Sequence, residues 1–294
     1  MRRGSVSEQL VLWDIDGTLL NADGVGRDLY DVVFVQLFGR SIDAFAPMAG
    51  RTDRAIILET LTMAGVDEPR RYVDPFIAGL TAQAPSVREM VAVRGRALPG
   101  ASDVLRGLRG RAHQSVLTGN IRPVAEVKLA AVGLADGLDL CIGAYGDDHE
   151  IRAELVPVAR RRAAAVHGKS PAEFDGGATV VIGDTPLDIE AALASGARAI
   201  GVATGGYTAG ELAAAGAHAV LPDLTDTDTV LKALLSLSVT PSCGTWLAFL
   251  GCLPRLASWV AVLGCRPCLP ICRVREGRAG RRARCEGAGV APPG

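Results

Sequence analysis

Short apolar runs recur along this chain, with segments of helical spacing between them, and that alternation restricts the fold more than any other feature. Leu10–Ile15, Ser115–Leu117, Cys141–Ala144, Ala178–Ile182, Ala199–Ala203 and Ala217–Leu221 are brief and bounded by Gly or polar residues, and each reads as a buried strand. Glu150–His167 and Pro186–Ser195 have helical spacing. Strand–helix–strand alternation predicts an α/β fold, a Rossmann-like parallel sheet with helices on both faces. Ligands of such sheets sit at the carboxyl ends of the strands. The Asp- and Gly-rich sequences of this chain follow the apolar runs, which is that edge.

Residues 23–97 interrupt the pattern. Leu29–Leu37, Asp53–Ala64 and Tyr72–Gln83 read as helices and no convincing strand accompanies them, so the segment is expected to form an inserted α-helical cap. Pro99-Gly100 marks the return to the core, before a helix over Ala101–Leu108. The expected division is a core of 1–22 and 98–238, a cap of 23–97, and a tail of 239–294. Six of the seven cysteines fall in that tail, which is also rich in Arg and Gly. Pro254 and Arg255 break its apolar stretch and disfavour a membrane anchor. One Cys265-x-x-Cys268 without a second pair is weak evidence for zinc. The tail reads as a disordered appendage of foreign composition, with translation out of the ancestral frame as the further reading.

Three strand ends carry chemistry. Asp14 and Asp16 close the first run within Leu12-Trp13-Asp14-Ile15-Asp16-Gly17-Thr18. Two carboxylates two residues apart at a strand end project to the same side, and Gly17 permits a sharp turn. One carboxylate can attack a substrate while the other, protonated, delivers a proton to a leaving oxygen. Thr118-Gly119-Asn120 follows the second run; the Thr118 hydroxyl and the N–H groups of Gly119 and Asn120 suit phosphoryl oxygens, although Asn120 could equally cap a helix. Asp184 ends another run, with Asp188 one helical turn further on. Hard oxygen ligands there suit Mg2+, against the plainer reading that Asp184 or Thr185 caps the next helix.

In this order and spacing the three motifs resemble the haloacid dehalogenase superfamily of phosphohydrolases, over about Leu10–Leu237. The helical insert is similar to a type-1 cap, and the group most resembled holds phosphoglycolate phosphatase-like and β-phosphoglucomutase-like members. The resemblance implies Asp14 as nucleophile and Asp16 as general acid and base. It implies Thr118 as phosphoryl ligand, and Asp14, Asp16 (through its carbonyl), Asp184 and Asp188 as the Mg2+ site. The family also needs a cation against the phosphoryl group. Lys128, on the helix after Asn120, is the favoured candidate; Arg152, read as a surface residue, is the alternative. In the cap, Gly50-Arg51-Thr52-Asp53 resembles the substrate-facing loop of this group. Arg51 and Thr52 are thereby candidates for substrate binding, although Thr52 also suits a helix cap. The four histidines show no ligand spacing.

The expected activity is Mg2+-dependent hydrolysis of a small phosphorylated metabolite. A phosphosugar mutase and a non-catalytic binding protein are the alternatives, and a dehalogenase is disfavoured because C–halogen displacement has no need of Asp16. With 31 Lys and Arg against 32 Asp and Glu, the net charge of −1 gives no case for nucleic acid or an anionic membrane as partner. Leu10–Trp13 runs straight into Asp14 and is too short for a secretory signal, so a cytoplasmic enzyme is expected.

Overall fold

The computed structural model describes residues 9–235, all within one compact unit. The tail readings after 238 lie outside the described residues.

Five parallel strands form the sheet, in the order β4-β1-β5-β6-β7: β1 (Leu10–Trp13), β4 (His113–Val116), β5 (Thr179–Gly183), β6 (Arg198–Val202) and β7 (Ala219–Leu221). β1 is an interior strand, pairing Leu10 with His113 on one side and with Thr179 on the other. A strand buried on both faces must be apolar throughout, and all four β1 residues are fully buried. Alternate residues serve opposite faces. Val11 and Trp13 join one apolar cluster with Val104, Leu129 and Val230 of α5 (Ala101–Gly107), α6 (Arg122–Ala131) and α10 (Thr227–Leu235). Leu10 and Leu12 join the other, with Val156, Ile189 and Leu212 of α7 (Leu155–His167), α8 (Pro186–Ala194) and α9 (Ala209–Ala214).

Two short strands, β2 (Leu20–Asn21) and β3 (Arg96–Ala97), pair antiparallel. Between them run the cap helices α1 (Val25–Phe38), α2 (Asp53–Met63), α3 (Val73–Ala82) and α4 (Ala84–Arg94). The architecture is a Rossmann-like parallel sheet with flanking helices and a helical cap. Tyr30, Phe34, Ile57, Phe76 and Val87 of the cap join the apolar cluster that continues into α6.

Three expectations change. β3 is a strand inside the segment read as purely helical; it and β2 form the two-stranded stalk of the cap. The helix read as ending at Gln83 is followed at once by α4. Cys141–Ala144 is no strand: among these residues only Ala144 makes a bridge, to Leu117. The Asp139 side chain accepts the Cys141 N–H at 3.0 Å and its carbonyl the Ile142 N–H at 3.3 Å. That local turn takes the donors a strand would need.

Candidate active site

The carboxyl ends of β4, β1 and β5, three adjacent strands, deliver Thr118, Asp14 and Asp184 to one place. Asp14 continues β1 by donating its N–H to Ile182 at 2.8 Å. The chain then turns back on itself, with the Gly17 N–H donating to the Leu20 carbonyl at 2.8 Å. Gly17 has φ +84, and a Cβ there would lie 2.3 Å from Asp184 Oδ2. Only glycine meets both demands. The loop after β6 closes on the same carboxylate: a Cβ on Gly205 would lie 1.7 Å from Asp184 Oδ2, and the Thr204 hydroxyl donates to the Gly17 carbonyl at 2.6 Å.

Carboxylate oxygens of Asp14, Asp184 and Asp188 lie within 4.8 Å of one another, and all three residues are buried. Asp188 serves two partners at once. Its Oδ2 accepts from the Thr185 hydroxyl at 2.7 Å, closing a capping box at the start of α8. Its Oδ1 accepts from Arg152 at 2.5 Å. Thr185, not Asp184, therefore caps the helix, and Asp184 is left facing the cluster with one bond from the Thr18 hydroxyl at 3.1 Å.

The electrostatics follow from crowding. Burial and the neighbouring Asp188 push the Asp184 carboxyl up to about 7. Burial, Asp188, Asp184 and Asp16 raise Asp14 well above the ordinary carboxylate range, against the opposing pull of Arg152. Carboxylates forced together in low dielectric favour whatever cation can join them. Three buried hard-oxygen donors of this kind fit Mg2+; Asp14, Asp184 and Asp188 are the residues that would hold it or its waters.

Two cations complete the site. Arg152, expected at the surface, is buried: it lies on a short 3-10 turn (Arg152–Glu154) leading into α7, and donates to Asp14 Oδ1 at 2.6 Å as well as to Asp188. Burial disfavours its charge, but Asp188 and Asp14 outweigh that and raise its pKa. Its hydrophilic neighbours Asp147-Asp148-His149-Glu150 disguise it in the sequence. Lys128 is buried too, on the face of α6 that carries Val124, Ala125 and Leu129. Its ammonium reaches Asp16, not Asp14, at 2.9 and 2.8 Å from the two oxygens. Asn120 joins them: its Oδ1 accepts from Lys128 at 2.8 Å, and its amide donates to Asp16 at 2.7 Å and to the Thr118 hydroxyl at 2.9 Å. Thr118 is fully buried and donates to no described side chain.

The Gly50–Asp53 loop of the cap meets this core. Gly119 accepts the Asp53 N–H at 2.7 Å. Thr52 points away from the cavity: it caps α2 by accepting the Ala55 N–H and donates to the Glu150 carbonyl at 2.6 Å. Arg51 lines the cavity but is held by Glu59 at 2.5 Å and the Pro47 carbonyl at 3.2 Å.

Two sets of residues at the site had no role assigned from the sequence. Asp53 and Tyr30 are buried partners at 2.6 Å, and their link to Ile121 spans separate parts of the chain. Thr204-Gly205 had an available signal, since it too follows a strand of the parallel sheet.

The family model for haloacid dehalogenase-like hydrolases matches residues 11–193. The chain belongs to that family. The protein named Probable phosphatase IndB, from Dickeya dadantii (strain 3937), is 28% identical over 244 residues, covering 79% of this chain and 97% of that protein. Among solved structures, a predicted phosphatase from Clostridium acetobutylicum superposes with TM-score 0.55 at 18% identity, covering 78% of this chain and 100% of that one. A hydrolase from Pseudomonas syringae gives 0.52 at 23% identity, covering 78% and 99%. These two likenesses are of fold. No described helix is long and apolar enough to cross a membrane.

Proposed function

We propose that this haloacid dehalogenase-like hydrolase is a Mg2+-dependent phosphatase that cleaves a small phosphomonoester through an aspartyl-phosphate on Asp14. The observation that carries the reading is the buried Asp14–Asp184–Asp188 cluster beside an Asp16 held by Lys128 and Asn120. The phosphatase name of the Dickeya relative agrees with it. A cavity of about 570 Å3 lined by Asp14, Asp16, Thr118 and cap residues suits a small molecule.

In this reading a carboxylate oxygen of Asp14 attacks phosphorus and the ester P–O bond breaks. The leaving oxygen takes a proton from the Asp16 carboxyl. Asp16, now ionised, takes a proton from the water that attacks the aspartyl-phosphate, and the Asp14–phosphorus bond breaks to free phosphate and Asp14. Lys128 and Asn120 fix the Asp16 carboxylate for both transfers. Thr118 offers its hydroxyl to a phosphoryl oxygen, and Arg152 orients Asp14 from behind. Bound Mg2+ supplies charge neutralisation at the phosphoryl oxygens. The helical segment 23–97 is the cap that excludes bulk water.

The test is release of inorganic phosphate from a panel of phosphomonoesters, with Mg2+ and after its removal by chelation. Mg2+-dependent release by the wild type, lost in Asp14→Asn, is expected. The amide is nearly isosteric but neither nucleophilic nor anionic. Release by Asp14→Asn within tenfold of wild type overturns the mechanism.

A further inference from the structure

Four cationic side chains line the cavity that opens from Asp14: Arg27, Arg51, Lys128 and Arg152. Three have carboxylate partners: Lys128 holds Asp16, Arg152 holds Asp14 and Asp188, and Arg51 holds Glu59. Arg27 stands apart. Its guanidinium lies 5.7 Å from the centre of the Phe45 ring, and among the described residues it makes no ion pair and no hydrogen bond. Its neighbour Asp28 is taken by Arg94 at 2.7 Å. Asp23, the exposed carboxylate on the same cap wall, forms no ion pair with it.

That placement is electrostatically uncomfortable. Arg27 occupies the first turn of α1, the positive end of the helix, where a carboxylate is favoured and a cation is not. The Phe45 ring attracts the charge without accepting an in-plane hydrogen bond, so the guanidinium N–H groups keep no acceptor among the described residues. Free in-plane donors are what a carboxylate or phosphate group needs for two parallel bonds. A wall cation with no protein carboxylate to neutralise can receive an anionic group brought in with a ligand.

We propose that Arg27 is a specificity-determining residue, selecting phosphomonoesters that carry a second anionic group, carboxylate or phosphate, at the end remote from the reacting phosphoryl. The assignment rests on the phosphatase reading, which seats the phosphoryl group at Asp14 and leaves the cap end of the cavity for the rest of the substrate. Arg51, already neutralised by Glu59, shapes the wall instead.

The test uses a homologous series of ω-phosphonooxy carboxylates of two to six carbons, each paired with the uncharged alkyl phosphate of the same length, and the α,ω-bisphosphates as a third arm. The readout is the ratio of kcat/KM, charged over uncharged, within each enzyme variant. Losses common to both members of a pair cancel in that ratio. The wild type should favour an anionic member by about tenfold to a hundredfold at some chain length, the range expected of hydrogen bonds to a charged group. Whichever anionic arm shows the preference identifies the distal group. Arg27→Ala should bring the ratio close to one, and Arg27→Lys should restore part of it. Arg27 is exposed, so its removal opens no void in the core. A wild-type ratio near one at every length overturns the proposal, as does a preference that Arg27→Ala retains. If no ester in the series releases phosphate, the phosphatase reading fails by itself. Calorimetric titration of the same pairs then reads Arg27 without turnover: tighter binding of the anionic members, lost in Arg27→Ala, upholds the assignment, and equal binding overturns it.

Discussion

The ammonium of Lys128 lies 2.9 and 2.8 Å from the two carboxylate oxygens of Asp16, so this cation grips the proposed acid–base residue and leaves Asp14, the proposed nucleophile, to Arg152. Removing it should release Asp16 from its orientation while leaving Asp14 in place. Lys128→Ala is expected to lower kcat by about two to four orders of magnitude, the range of a preorganised charge or positioned proton-transfer group. Stability should change less, because the Asp16 side chain is 41% exposed and water can solvate it. A variant with kcat within threefold of wild type would refute the positioning role.

Arg152→Ala should behave differently. Its partners Asp14 and Asp188 have side chains only 8% and 0% exposed. Breaking a buried pair from one side leaves charges that water cannot reach, at about 3–5 kcal/mol. Denaturant unfolding at pH 8 without Mg2+ should register a loss of that order, and added Mg2+ should recover part of it by neutralising the same carboxylates. A loss under about 1 kcal/mol, outside the range for a broken buried pair, would mean that Arg152 does not hold the cluster together.

The Asp184 carboxylate is enclosed by two glycines, and its position depends on both. A methyl at residue 205 would lie 1.7 Å from Oδ2, so Gly205→Ala must displace either the loop or the carboxylate. The expected phenotype is a higher Mg2+ requirement, with activity recovering at saturating metal. Asp184→Asn should weaken Mg2+ further and also recover in part. Gly205→Ala with an unchanged metal titration would show that the loop, not the ligand, gives way.

The fold was legible because its determinants are local. Leu10–Trp13 is continuously apolar since both its faces are covered, and Asp14, Thr118 and Asp184 each follow such a run by one or two residues. Arg152 was misread for the same reason: it stands among charged neighbours, and only the turn through Gly146–Ile151 carries it beneath Asp14. Lys128 sits at the right spacing on α6, but nothing in that spacing distinguishes Asp16 from the phosphoryl group as its target. The Cys141–Ala144 run has strand composition, yet Asp139 diverts its donors. Arg27 and Arg51 look alike in sequence; Glu59, one position in α2, separates them. What remained hidden depends on side chains brought together from distant segments, for which one sequence carries no pairing signal.

Asp53 ties the cap to the loop after Thr118, and that tie should be sensitive to pH. Its Oδ2 accepts the Ile121 N–H at 2.7 Å and its Oδ1 the Tyr30 hydroxyl at 2.6 Å. Burial, opposed by those two hydrogen bonds, raises its carboxyl from 3.8 to about 6. The folded chain therefore holds this proton more tightly than the unfolded chain does. The resulting stability is complete below pH about 4 and is lost as pH rises through about 6. The amount at stake is about 3 kcal/mol, from roughly two pKa units at 1.36 kcal/mol each. Asp53→Asn removes the titration while keeping a group of the same size, and every other carboxylate is common to both proteins. The difference in Tm, wild type minus Asp53→Asn, should fall between pH 4 and 6 and level off above it. Curves that stay parallel across that window would show that Asp53 does not titrate in the docked cap. A difference that instead grows with pH would mean that the ionised carboxylate, accepting from Ile121 and Tyr30 together, is the form that holds the cap down.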